Sequence, residues 1–474
     1  MAPSFHDVGQ LPLAVESVSV IGWLSRRAAR GEFLSASRPI IAVLATMDTK
    51  SSEARFVADV LTRAGATPWI VDLSMKSHTL SAGDVSGAQV AEAVGVSWQA
   101  LDERSRQEAA AVMVQGGTRI LLERYSKGQI AGAIGVGGAN GTNLVCSILR
   151  ALPYLLPKIM ISTVAGTAAV QWYVAESDIA MYPSIGDVSL NRITRAVMEN
   201  AANAVALAAA NWTARREAKA AHAPLVAVSS FGGTAACVER VSQRLQAWGY
   251  EVILFHASGV GGKSLEQLAS SGELAGVVDV TTHELADLVV DGVYSAGAAR
   301  MTGAGAAGLP QVIVPGAIDH SNFWVGQVPD RYKTREFFQY NAQNLLMRTN
   351  AEEFRQLGAE FARRVNAARG PVRVLIPVGG FSEHTKRRAR DLEGNDKGPW
   401  KIPGDYRIFV DSLKRDLTST LIEELPLHIN DNAFADACVD AFFVIANPLM
   451  QQRAGSRASQ CGSTFQSNDT RPTS

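Results

Sequence analysis

The order apolar strand, polar turn, amphipathic helix, glycine, apolar strand occurs twice in this chain, first from Ile40 and again from Leu225. Ile40–Ala45 (IIAVLA) is apolar throughout, as a strand covered on both faces must be. The turn Thr46-Met47-Asp48-Thr49-Lys50 follows. A helix then places Phe56, Val57, Val60, Leu61 and Ala64 on one side, stops at Gly65 and yields to Trp69-Ile70-Val71-Asp72. That is a βαβ unit, whose crossover is right-handed. From Pro224 the series repeats: LVAVS, the turn Phe231-Gly232-Gly233-Thr234, a helix with Val238, Val241, Leu245 and Trp248 on one face, Gly249, then EVILFH. GVVDVT from Gly276 and QVIV from Gln311 continue it, as Ala133–Val136 and KIMIS from Lys158 continue the first half. An Ala-rich stretch over 193–211 reads as the long helix that closes that half. The fold class predicted is α/β, two Rossmann-like parallel-sheet domains in tandem facing a shared cleft, with ligands outside the carboxyl ends of the strands.

The expected divisions are an N-terminal extension over 1–37, a first domain over 38–222, a second over 223–448 and a disordered tail over 449–474, with the linker near 218–223. A chain of 474 residues is long enough for two such cores. The extension carries Arg26, Arg27 and Arg30, diluted by Asp7, Glu16 and Glu32. It reads as a helical surface extension, with a weak organellar presequence as the alternative. Lys+Arg and Asp+Glu are 45 each, so no basic excess points to nucleic acid or an anionic membrane. Cys146, Cys237, Cys438 and Cys461 have no CxxC spacing, which argues against structural zinc or a disulfide scaffold and for a reducing, cytoplasmic compartment. No apolar run has the length of a membrane span.

The chemistry concentrates in loops at strand ends. The segment GAIGVGGANGT places Gly135, Gly137, Gly138 and Gly141 between a strand and a helix expected from Asn143. Such a turn aims backbone N–H groups at an anion, and glycines there are expected to permit positive φ and close approach. Three loops should converge: Asp48, Thr49 and Lys50; Gly135 to Thr142; and Ser162 with Thr163. Together they offer a cation, hydroxyls and main-chain donors, the inventory of a nucleotide phosphate site, with Asp48 available for a metal ion. The alternative is that Asp48 and Thr49 merely cap the next helix. Lys50 fits that alternative poorly, because a cation opposes the helix dipole there.

In the second half, ASGVGGKS over 257–264 satisfies a loose Walker A pattern, with Asp279 as a Walker B candidate. It does not follow the domain's first strand, so a second glycine-rich anion site is a better reading than a true P-loop. Catalytic candidates are His256, Glu284 and Asp319, with His320 completing an acid–base or metal set and Asn430 and Asp431 adding polarity. His283-Glu284 begins like a zincin helix, but Asp287 stands where the second histidine belongs. No G-x-S-x-G elbow or complete dinucleotide fingerprint is present.

The segments ATMDTK, GVGGANGT, LPYLLPKIMIST, YVAESDIAMY, LNRITRAVMENAA, GYEVILFHASGVGGKSLE, VVDVTTHELAD, GLPQVIVPGAID, NLLMRTNAEE and HINDNAFADA occur in order from about residue 40 to 440. In them the chain resembles the ATP-binding N-terminal domain family of the plant tobamovirus-resistance protein, with its uncharacterised bacterial and fungal homologues. That resemblance implies ATP as cofactor, with Mg2+, and a homodimer. It puts the family's GTxDTK pattern on Ala45 to Lys50 and its GLGGSGGT loop on Gly135 to Thr142, with Ala45, Ala139 and Asn140 as departures. The family has Thr where His283 stands, and Lys263 is not its usual residue. Residues 383–404 look like an inserted, charged surface loop. The expected function is ATP binding by the glycine loop, Lys50, Ser162 and Thr163. Two alternatives stand beside it: an ATP- or acyl-phosphate-dependent enzyme acting on a small carboxylate or sugar acid between the halves, and an interaction protein stabilised by nucleotide.

Overall fold

The computed structural model describes residues 38–76, 83–217, 223–418 and 420–446. The expected extension, the linker over 218–222 and the tail lie outside them.

In the first domain the strands are β1 (Ile40–Ala45), β2 (Thr67–Asp72), β3 (Gly132–Gly137), β4 (Lys158–Ser162) and β5 (Ala180–Pro183). All pair in parallel, in the order β2-β1-β3-β4-β5. Period-two alternation splits the apolar run: Ile41, Val43 and Ala45 face one layer, Ala42 and Leu44 the other. The first layer is the helices Met47–Arg63 and Arg192–Glu217, the second Arg106–Ser126 and Ala139–Ala151.

The second domain contributes β6 (Leu225–Ser230), β7 (Glu251–His256), β8 (Leu274–Thr281), β9 (Gln311–Gly316), β10 (His320–Trp324), β11 (Phe337–Gln339), β12 (Asn344–Arg348), β13 (Val372–Pro377), β14 (Arg388–Arg390), β15 (Asp396–Pro399) and β16 (Leu421–Leu425). Six form a parallel sheet, β16-β13-β9-β8-β6-β7, and the tandem α/β architecture is as expected. The other five form a small antiparallel sheet, β10-β12-β11-β14-β15. It corrects the expectation of a surface loop over 383–404. That segment supplies the edge hairpin of the antiparallel sheet, and its His384 and Trp400 are buried. The charges that suggested a loop, such as Arg388 and Asp396, sit on the hairpin's exposed positions and pair with each other.

Between the domains, Gln267 Nε2 donates to the Arg150 carbonyl at 3.0 Å, and Tyr154 packs on the cluster holding Leu265 and Leu268. These contacts do not define the shared cleft expected from the sequence.

In each parallel sheet the chain reverses its direction of strand addition once. In the first domain the reversal lies between β1 and β3, whose following helices leave to opposite faces. In the second it lies between β6 and β8, followed by helices Ala235–Ala247 and Glu284–Val290, again on opposite faces. A crevice opens at such a switch point because no connection crosses it.

None of the four glycines of the first crevice has positive φ, against expectation. Their role is space. A Cβ on Gly135 would lie 2.3 Å from Val145 Cγ1 and 2.8 Å from Met160 Sδ, and one on Gly137 2.9 Å from Gly141 Cα. Gly135 therefore seats the helix Ala139–Ala151 on the sheet. Gly135→Ala is expected to destabilise the domain by about 1–3 kcal/mol through overpacking. Urea unfolding checks this; an unchanged midpoint would mean the helix can shift freely.

Candidate functional site

A helix leaves its first N–H groups without main-chain partners, and something must accept from them. Three turns at strand ends resolve this differently. After β1, the helix Met47–Arg63 is met by the protein's own carboxylate: Met47 N donates to Asp72 Oδ1 (3.1 Å) and Asp48 N to Ser74 Oγ (2.9 Å). After β7, Glu284 Oε1 accepts from Gly259 N (2.7 Å) and Gly262 N (3.1 Å), at the start of the helix Val260–Ala269. Glu284 thus occupies the place a phosphate would take in a Walker loop, and Lys263 points to solvent. The Walker likeness is incidental, and the second anion site expected at this turn is closed by Glu284.

The turn after β3 has no such internal anion. Gly138, extended at φ −74° and ψ −167°, precedes the helix Ala139–Ala151 with no side-chain cap. The helix begins four residues earlier than expected, inside the glycine segment. The first main-chain bond is Thr142 N to Gly138 O (2.8 Å), so the N–H groups of Ala139, Asn140 and Gly141 are left to the exposed end. Ala139 and Asn140, the departures from the family pattern, are ordinary first-turn residues and need no left-handed backbone.

The expected partners of this loop divide into two groups. Thr142 Oγ1 and Ser162 Oγ share a buried hydrogen bond of 2.6 Å that ties helix to β4, and Ser162 Oγ also accepts from Val164 N. Thr163 is exposed, its Oγ1 3.9 Å from where a Gly138 Cβ would stand. The loop, Ser162 and Thr163 are therefore together. On the β1 loop Asp48 and Thr49 are exposed, Thr49 Oγ1 bonding to Thr46. Lys50 departs from helical geometry and its Nζ donates to the Val188 carbonyl at 2.5 Å, tying down the loop after β5.

The second crevice is polar and buried. Thr234 Oγ1 and Thr281 Oγ1 meet across it at 2.6 Å. Beneath, Arg300 is wholly buried and binds Asp279 with both terminal nitrogens (2.6 and 2.7 Å) and Glu284 through Nε (2.6 Å), with Glu266 at 3.3 Å. Burial pushes the Glu266 and Glu284 carboxyls up, against the opposing pull of Arg300. Glu284, a catalytic candidate from sequence, and Asp279 are thus structural ions. Arg300 had no motif to announce it.

Above this knot lies a cluster of imidazoles. His283 stacks on Phe231 with centroids 4.1 Å apart; His320 is 5.9 Å from His283 and 5.2 Å from His384. His256 is exposed, its ring 5.4 Å from Phe231. Asp319 Oδ1 meets His320 Nδ1 at 3.1 Å, while Oδ2 accepts from Ser382 Oγ (2.7 Å) and Trp400 Nε1 (3.2 Å). Burial works to raise the Asp319 carboxyl, but His320 and Ser382 hold it below its usual range. Burial, reinforced by His320, lowers His283 well below an ordinary histidine and His384 to about 4. Nearby, Asn430 bridges Cys237 N and the Gly233 carbonyl, and His428 Nε2 contacts the Ser382 carbonyl. Asp431 is used locally, accepting from His428 N. The structure thus brings His256, Asp319 and His320 to one crevice and adds His283, His384 and Phe231. Among the described residues no His, Cys, Asp or Glu group is arranged to hold a metal, and no helix is long and apolar enough to cross a membrane.

Asp287, which breaks the zincin pattern, is buried with Oδ1 accepting from Asn322 N (3.0 Å) and Tyr294 N (3.1 Å). Burial raises its carboxyl to about 8. Unfolded, it ionises near its ordinary value, so from about pH 4 to 8 the folded state holds the extra proton and stability falls as pH rises. Asp287→Asn keeps the acceptor and removes the titration. Its stability relative to the parent should therefore grow by up to about 1.4 kcal/mol per pH unit across that window and stay level above it. Denaturation series at pH 5 and 8 measure this; a constant difference would place the Asp287 carboxyl near its solution value.

Residues 39–214 match the N-terminal domain of the uncharacterised protein family UPF0261, and residues 223–446 its C-terminal domain. A UPF0261 protein of Rhizobium meliloti is 38% identical over 414 residues, 86% of this chain and 99% of the relative. One from Clostridium tetani is 32% identical over 402 residues, 84% and 96% of the two chains. The ToMV resistance protein Tm-1(GCR237) of Solanum lycopersicum is 32% identical over 432 residues, 86% of this chain but 56% of the tomato protein. The resemblance read from the ordered segments is thereby borne out, and the chain belongs to the uncharacterised protein family UPF0261.

Proposed function

We propose that this protein binds ATP at the switch point of its first domain, with the phosphates at the N-terminus of the helix Ala139–Ala151. The observation that carries the proposal is the contrast among the three turns. Those after β1 and β7 are closed by Asp72 and Glu284, whereas the turn after β3 presents the N–H groups of Ala139, Asn140 and Gly141 without an internal anion. Anions bind such termini through these donors and the helix dipole. Thr163 stands beside the loop, and exposed Asp48 is the carboxylate on hand for Mg2+. A groove of about 590 Å³ adjoins the same helix, lined by Met75, Gln107, Val114, Asn140, Asn143 and Leu144 among others. Its apolar floor and amide rim suit a nucleobase. The resemblance read from the ordered sequence segments implies ATP as well, and a cytoplasmic homodimer completes the proposal.

A second reading, an enzyme that uses ATP or an acyl phosphate on a small acid or sugar acid, is favoured by the Asp319–His320 pair in the second domain. The hydrogen-bonded carboxylate orients the imidazole, as a general base requires.

Calorimetric titration with ATP and Mg2+ tests the first reading. Asn140→Asp sets a carboxylate on an exposed first-turn position. It should preserve or slightly raise Tm through the helix dipole, yet weaken ATP by roughly 1–2 kcal/mol. Equal affinity in parent and variant would remove the loop from any nucleotide site. Lys50→Ala should cost roughly 1.5–3 kcal/mol of binding if the ammonium leaves Val188 for a phosphate. Unchanged affinity would leave Lys50 as a tie to Val188 alone.

A further inference from the structure

Five buried side chains at the second crevice carry polar atoms with no hydrogen-bond partner in the protein: His283 Nδ1 and Nε2, His320 Nε2, His384 Nδ1, Asp287 Oδ2 and Asn322 Oδ1. His283, His320, Asp287 and Asn322 are 0% exposed and His384 1%. Each such atom costs about 1–3 kcal/mol if nothing answers it. They are also close to one another. His320 lies between His283 and His384, His283 Nε2 is 3.9 Å from Asp287 Oδ2, and Asp287 Oδ1 holds the main chain of Asn322. A concentration of this kind at a topological switch point marks a place for a polar guest.

The chemistry of the unanswered atoms narrows the guest. Asp319 only accepts, so the neutral form of His320 has its proton on Nδ1 and leaves the Nε2 lone pair for a guest. Asn322 Oδ1 is an acceptor, and neutral His283 contributes one acceptor and one donor. The donors on hand are neutral: one N–H of His283, and Asp287 Oδ2, which keeps its proton below about pH 8. An anion would find no free cation, because Arg300 beneath is already matched by Asp279, Glu284 and Glu266. A metal ion does not fit the arrangement of these residues. Hydroxyl groups do, since each can donate to one atom and accept from another. Aromatic faces complete the lining: Phe231 covers His283, with Tyr294 6.0 Å from Phe231 and Trp324 5.6 Å from Tyr294. Rings over hydroxyl-binding groups suit the carbon face of a sugar or polyol.

We infer that the second crevice is a binding site for a small neutral polyhydroxylated compound, a sugar or polyol, whose hydroxyls donate to His320 Nε2 and Asn322 Oδ1 beneath Phe231. Phe231, half-buried between exposed His256 and buried His283, is the entry. Gly232 and Gly233 follow it as a tight turn, packed against Tyr340 and Ser382. Asp319 is a positioning residue, fixing which nitrogen of His320 meets the guest. The inference deepens the second reading, replacing its small acid by a neutral hydroxylated guest, and does not require ATP.

The test uses the full chain, with saturation-transfer NMR and calorimetry against glycerol, erythritol, D-ribose, D-glucose and mannitol, and against D-gluconate and inorganic phosphate as anionic counterparts. Expected is binding of at least one neutral compound, weakened tenfold or more in His320→Gln, with ATP titrations in the same samples unchanged. An unchanged near-UV circular dichroism spectrum and Tm show that the second domain of the variant is folded, and retained ATP binding separates failure here from failure at the first crevice. Phe231→Ala, at a half-buried position, should bind the same compound more rapidly, because the cover is gone, and less tightly, because its aromatic face and its exclusion of water are lost. The inference is overturned if no neutral compound binds parent or Phe231→Ala, if His320→Gln binds it equally, or if only gluconate or phosphate binds in a His320-dependent manner.

Discussion

A buried guanidinium organises the second domain. Arg300 draws together Asp279 and the Thr281 carbonyl from β8, Glu266 from the helix Val260–Ala269 and Glu284 from the helix Glu284–Val290, while Arg364 Nε holds the Arg300 carbonyl from a fourth element. An isolated buried charge of this kind would be prohibitive. Here every partner has a second duty. Glu284 caps Gly259 and Gly262, Glu266 accepts from Met301, Thr302 and Gly303, and Asp279 accepts from Ser229. The loops that bound the crevice are positioned by one shared ion cluster rather than by apolar packing alone.

The same physics explains why one turn in the first domain is exceptional. Helix N-termini at strand ends must be answered, and this fold answers them with carboxylates borrowed from neighbouring elements, Asp72 at the end of β2 in one case and Glu284 at the start of a helix in another. Each borrowed carboxylate forecloses an external anion. Sequence patterns for phosphate loops register glycines and hydroxyls but not the distant acid that closes the site, so ASGVGGKS and GVGGANGT look alike on paper while differing in the fold.

What was legible followed from local periodicity. The parallel strands with continuous apolar runs, such as β1, β3, β6 and β8, and the amphipathic helices between them could be read directly, and so could the family. The antiparallel sheet could not: β11 and β14 have three residues each, too few to show alternation. The charged stretch that hides buried His384 and Trp400 reads as solvent-facing because its neighbours are. At the sites, residue types were right more often than roles. Asp319 and His320 are paired as supposed, whereas Glu284 is an internal cap. Arg300 acts through Glu284, Asp279 and Glu266, Phe231 through His283, Asp287 through Asn322 and His384 through His320, residues on other elements in each case, so no short spacing rule finds them. The glycine loop was located correctly for a partly wrong reason, since its glycines make room for a helix instead of adopting left-handed backbone.

The two crevices are chemical complements. The first presents donors, a row of main-chain N–H groups at a positive helix end; the second presents acceptors, an imidazole lone pair and an amide oxygen, over a charge cluster that is already internally matched. A duplicated architecture gives both the same location relative to their sheets, so the divergence lies wholly in which side chains reach the switch point. In the first domain Asp72 serves the neighbouring turn and leaves the β3 turn open. In the second, Phe231 and His283 fill the corresponding gap between β6 and β8, so a guest reaches the acceptors only by displacing an aromatic ring. Donors that are open and acceptors that are covered are what two unlike ligands would require. The cover also keeps water from answering lone pairs that a hydroxylated guest would otherwise have to win back one by one.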